Sequence, residues 1–78
     1  MDRLHIELDR LAAAERLIAE NDERISAQES IVKTLTAQEE DSSEAEEFLR
    51  VLRELREQLH VHRRLILERI EALRANTP

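Results

Sequence analysis

Apolar residues recur at every seventh position along two long stretches of this chain, and one short polar break separates the stretches. Leu4, Leu11, Ile18, Ile25 and Val32 form the first row, and Ala45, Leu52, Leu59, Ile66 and Leu73 form the second. Seven residues make close to two turns of α-helix, so each row runs as a stripe down one helix. The break between them is Gln38-Glu39-Glu40-Asp41-Ser42-Ser43. Folding the chain there brings the stripes face to face. The expected fold is all-α: two long antiparallel helices forming one coiled-coil-like helical hairpin.

The composition leaves little room for anything else. Glycine is absent, Pro78 is the only proline and Phe48 the only aromatic residue, so the turn residues and aromatic runs that strands need are missing. The 78 residues suffice for one domain. Helix 1 is expected over about 2–37, the turn over about 38–43, helix 2 over about 44–75 and a frayed tail over about 76–78. Asp2 is placed to cap helix 1, because its carboxylate accepts from early backbone N–H groups. For helix 2, Ser42 or Ser43 is the expected cap, and Ser43 with Glu46 and Asp41 with Glu44 both have capping-box spacing. No glycine is available to take the left-handed position that often ends a helix, so helix 1 is expected to fray at its C-terminus.

Labelling the two rows a, the d positions are Glu7, Ala14, Asn21, Gln28 and Leu35 on helix 1, and Phe48, Leu55, His62 and Arg69 on helix 2. With the turn centred near residue 40, facing residues sum to about 80, which sets Val32 against Phe48, Ile25 against Leu55, Ile18 against His62 and Leu11 against Arg69. The expected core is Leu4, Leu11, Ile18, Ile25, Val32, Leu35, Phe48, Leu52, Leu55, Leu59, Ile66 and Leu73. Asn21, Gln28 and His62 form a polar layer in the seam, with a His62–Asn21 hydrogen bond. More apolar residues flank the seam: Leu8, Leu17 and Ile31 on helix 1, and Leu49, Val51, Leu65 and Ile70 on helix 2. That stripe is wider than one partner helix covers. A symmetric homodimer closing into a four-helix bundle would cover it, as would helices of another protein.

The charges are partly segregated, with a net of −6. Residues 1–35 carry five bases and eight acids, residues 36–49 carry six acids and no base, and residues 50–78 carry seven arginines and four acids. Opposite net charges on the two arms favour their antiparallel docking, although one exposed pair contributes only ~0–1 kcal/mol.

Three runs of residues suggest a family. Ala14-Glu15-Arg16-x-Ile18-Ala19, Arg24-Ile25-x-x-Gln28-x-x-Ile31 and Asp41-Ser42-x-Glu44-Ala45 resemble a group of short uncharacterised helical-hairpin proteins common in alphaproteobacteria. The likeness runs over about residues 12–66 and implies the hairpin. It brings no activity with it. Where that group carries a Gly-His pair before the aspartate, this chain has Glu39-Glu40.

The chemistry of catalysis has no visible seat. There are no cysteines, no Ser/His/Asp set and no phosphate-cradling glycine loop, so the expectation is a protein that is not an enzyme and has no cofactor. Glu57 and His60 have a Glu-x-x-His spacing seen in metal-binding bundles, but they fall at f and b on the solvent side. His62 at a seam position reads as structural, with a pH switch as the sharper alternative. Arg50, Arg53, Arg56, Arg63 and Arg64 give helix 2 a basic edge, the basis of an alternative reading as a small nucleic-acid-binding dimer. Net negative charge and the lack of stacking aromatics weigh against it. Val61, Leu65 and Leu67 suggest an apolar partner patch on the last third of helix 2. No uncharged run is long enough to span a membrane and the start lacks a hydrophobic signal core, so a cytoplasmic setting is expected. The functional expectation is a protein–protein interaction or oligomerisation module acting as an adaptor or regulator.

Overall fold

A computed structural model describes residues 2–76. It contains two helices, α1 from Arg3 to Ala37 and α2 from Ser43 to Ala75, packed antiparallel. No strand occurs among the described residues. The molecule is a rod of 63 × 15 × 13 Å with a radius of gyration of 17.9 Å. A compact globule of this length has a radius of gyration of about 11–12 Å. Most side chains therefore lie at or near the surface.

Local chemistry sets the helix ends. The Asp2 carboxylate accepts from His5 N–H at 2.8 Å and caps α1. At the other end α1 stops sharply, contrary to the expected fraying. Glu39 takes the left-handed conformation, φ 57°, that glycine usually supplies. Glu40 N–H then donates to Leu35 O at 2.9 Å and Glu39 N–H to Thr36 O at 3.1 Å. These two bonds make a Schellman motif, which satisfies helix-end carbonyls.

The start of α2 also differs from expectation. Ser42 occupies the cap position, yet its side chain makes no capping bond. Asp41 supplies the acceptor instead, taking Ser43 N–H at 3.0 Å and the Ser43 hydroxyl on the same oxygen. This is an Asx turn rather than a capping box. Glu44 and Glu46 lie in the first turn, where the helix dipole favours anions. Asn76 ends α2, its N–H donating to Ala72 O at 3.2 Å. Thr77 and Pro78 of the expected frayed tail lie outside the described residues.

The seam of α1 follows the a and d positions. Glu7, Ala14, Asn21 and Ile25 are buried, while Leu4, Leu11, Ile18, Gln28, Val32 and Leu35 are half-buried. The seam of α2 does not. It buries Leu49, Leu52, Ile66 and Ile70 and half-buries Ala45, Leu59, Arg63 and Leu73. These are the a and e positions, so α2 is rotated from the expected face. One core cluster joins Ala14, Ile66 and Ile70 with Leu4, Leu8 and Leu11. The other joins Ile25, Leu49 and Leu52 with Val32. Phe48, Leu55, His62 and Arg69 are exposed instead of facing Val32, Ile25, Ile18 and Leu11.

The reason for the rotation lies in the charges. On α2 the d row reads Phe48, Leu55, His62, Arg69 and the e row reads Leu49, Arg56, Arg63, Ile70. Each row offers two apolar residues, so burial alone nearly ties. The tie is broken by Glu15, Asp22 and Glu29, the e row of α1. With e turned inward, Arg63 reaches Glu15 and Arg56 reaches Asp22, each at 3.3 Å, and Arg53 reaches Glu29 at 3.2 Å. Turning d inward would bury His62 against Ile18 and forgo these three cross-helix pairs.

Candidate functional site

The hairpin has two unlike flanks. Ion pairs from the e row of α1 to Arg53, Arg56 and Arg63 line one of them. In an antiparallel pair the opposite flank is made by the g and c rows of α1 and by the d and g rows of α2. That flank carries Ile6, Leu17 and Ile31 from α1, and Phe48, Val51, Leu55 and Leu65 from α2, all exposed. Phe48, the one aromatic side chain, is 52% exposed. Exposed apolar residues scattered singly are ordinary, but seven aligned on one flank of a rod form a patch.

Charge is graded along the same flank. Glu39, Glu40, Asp41 and Glu44 crowd the turn end. At the open end, Arg3, Ile6, Glu7, Arg10, Arg69, Ala72, Leu73 and Asn76 line a groove of about 540 Å³. A smaller depression beside Ser30, Ile31, Thr34 and Leu35 marks the same flank near the turn. Glu7 lies beneath the arginines of the larger groove and is only 7% exposed. Its Oε1 accepts from Arg10 at 2.8 Å, while its Oε2 is buried without a hydrogen-bond partner.

Two polar side chains of the seam hold the helices in register. Asn21 Nδ2 donates to Leu52 O at 3.1 Å and Gln28 Nε2 to Ala45 O at 2.9 Å. His62 takes no part. The expected His62–Asn21 bond is absent because the rotation of α2 leaves His62 exposed. Asn21 Oδ1 stays buried and unpartnered.

The remaining sequence candidates separate. Val61, Leu65 and Leu67 do not make one patch: Leu65 joins the apolar flank with Val61 at its margin, while Leu67 shares the row of Arg53 on the ion-paired flank. Glu57 and His60 are exposed, and no cluster of three or more His, Cys, Asp or Glu suited to a metal ion occurs among the described residues. On the arginine edge, Arg50 pairs with Glu47 and Glu54, so Arg50, Arg53, Arg56 and Arg63 are all engaged with carboxylates of the hairpin itself. Neither described helix is long and apolar enough to cross a membrane. Sequence reasoning missed the flank as a unit because it assigned Phe48 and Leu55 to the seam. The equal apolar content of the d and e rows was the signal that two faces compete.

The chain matches no protein-family model, no curated protein and no solved structure.

Proposed function

We propose that this protein is a helix-docking module, a non-enzymatic adaptor or regulator that associates through the flank carrying Phe48, Val51, Leu55 and Leu65. The observation that carries this reading is an apolar flank on a hairpin whose own seam is already filled by other residues. Among the described residues the hairpin buries six apolar side chains, Ala14, Ile25, Leu49, Leu52, Ile66 and Ile70. Such a small core adds little stability by itself, and further helices laid on the flank extend it. Completion of a four-helix bundle is the arrangement this favours, in a cytoplasmic setting. The nucleic-acid reading draws less support, because four of the five arginines on which it rests are paired within the hairpin.

Sedimentation equilibrium over a wide concentration range, with an apolar fluorescent dye as reporter, tests the docking reading. A mass above that of one hairpin with little dye uptake supports it, as does a hairpin-mass species that takes up dye strongly. A fully helical species of hairpin mass that ignores the dye overturns it.

A further inference from the structure

We propose that the occupant of this flank is a second copy of the chain, lying antiparallel across a twofold axis at the level of Leu55. The inference rests on the docking reading and specifies the partner and its direction. Three observations carry it.

The first is area. The chain exposes 6114 Å² for a mass of 9.2 kDa. A compact monomer of this mass exposes about 4,900 Å². The surplus, about 1,200 Å², exceeds the ~800 Å² that each partner contributes to a standard interface.

The second is charge. The flank is acidic at the turn, with Glu39, Glu40, Asp41 and Glu44, and basic at the open end, with Arg3, Arg10 and Arg69. A parallel neighbour sets like against like at both ends. An antiparallel copy sets the acidic turn of each against the arginine groove of the other, and the pairing is self-complementary, as a twofold axis requires.

The third is register. Ile31, Phe48, Val51 and Leu55 cluster toward the turn, while Ile6, Leu17 and Leu65 lie toward the open end. The midpoint between these two apolar groups falls near the level of Asp22 and Leu55. The midpoint between the acidic turn and the arginine groove falls at the same level. One axis therefore satisfies both patterns. It brings Leu55 beside its own copy, Leu17 level with Val51 of the second copy, Ile31 level with Leu65, and Arg10 and Arg69 level with Glu44. The Gln38 amide of the second copy comes level with Glu7, whose Oε2 lacks a donor.

Cysteine pairing in the full chain tests the arrangement, because the chain has no cysteine of its own. Arg3 and Glu40 lie near opposite ends of the 63 Å rod, so a disulfide between them forms only between copies. The expected result is a two-copy mass by sedimentation equilibrium, and covalent dimer on oxidation of the variant carrying both Arg3→Cys and Glu40→Cys. Each single variant stays unlinked. Leu55→Asp gives a helical species of hairpin mass, since Leu55 is not needed to close the hairpin. Arg69→Glu or Glu44→Arg alone raises the dimer dissociation constant about tenfold, and the two together restore it. Self-linkage of the Glu40→Cys variant overturns the antiparallel arrangement and leaves the docking reading standing. A dye-binding species of hairpin mass also overturns the second copy while sparing that reading. A species of hairpin mass that takes up no dye removes both.

Discussion

Asn21 donates its side-chain amide to the backbone carbonyl of Leu52 across the hairpin, while its own amide oxygen is buried without a donor. Half of this side chain fastens the register of the two helices, and the other half is a cost left inside the seam.

That division predicts opposite responses to two substitutions. Asn21→Leu removes both the bond and the unpartnered oxygen, and thermal stability is expected to hold or rise by up to about 1 kcal/mol. Asn21→Asp keeps the shape but replaces the donor with a charge facing a carbonyl, and a loss of about 2–3 kcal/mol is expected. Denaturant unfolding of the two variants checks this. A large loss in Asn21→Leu would mean that the Leu52 bond outweighs the orphaned oxygen.

Glu39 ends α1 in a conformation that costs a residue with a Cβ about 1 kcal/mol. Glu39→Gly relieves that cost while preserving the two closing bonds made by Glu39 and Glu40. A stabilisation of about 1 kcal/mol, or roughly 4–8 °C in Tm for a chain of this size, is expected. An unchanged or lower midpoint would show that the turn does not depend on the left-handed position.

The row of ion pairs gives a prediction about rotation. Arg56→Glu with Arg63→Glu sets acid against Asp22 and Glu15, and removes what favours the e row of α2 over the d row. The doubly substituted chain is expected to lose about 1–2 kcal/mol, and Glu15→Arg with Asp22→Arg added to it should recover most of that. If the fourfold variant gains nothing over the double one, the pairs do not orient the helix.

Acid is expected to loosen the beginning of α2 first. Hydrogen bonds from the Ser43 hydroxyl and backbone N–H hold the Asp41 carboxyl below its usual range. The Arg50 hydrogen bond and then its charge do the same for Glu47. The guanidinium of Arg50 is raised in return, mainly by Glu47 and then by Glu54. A carboxyl whose pKa is lower in the folded chain contributes stability above its unfolded value and loses it as pH falls through the folded one. The loss is therefore expected below about pH 4. NMR titration of the side-chain carboxyl carbons, alongside the helical shifts of residues 43–47, checks it. Titration of Asp41 and Glu47 at ordinary values, with these shifts unmoved, would contradict the expectation.

The sequence by itself determined what depends on neighbours along the chain. Helix-forming residues without glycine or internal proline, a polar break at residues 38–43 and the Asp2 cap are local, and the two helices follow from them. The a and d stripe of α1 was legible from the heptad count, which placed Asn21 and Gln28 in the seam although the g row offers Leu17 and Ile31. Only the tertiary structure decided which face of α2 closes the hairpin. Phe48 and Leu55 on one row balance Leu49 and Ile70 on the other, so periodicity is degenerate there. The choice comes from side chains far away in the chain, the acids at 15, 22 and 29, which reach Arg63, Arg56 and Arg53 in one rotation. The carbonyls that receive Asn21 and Gln28 belong likewise to the opposite helix. That selection turned Phe48 and Leu55 outward, because long-range charge pairing broke a tie that burial had left open.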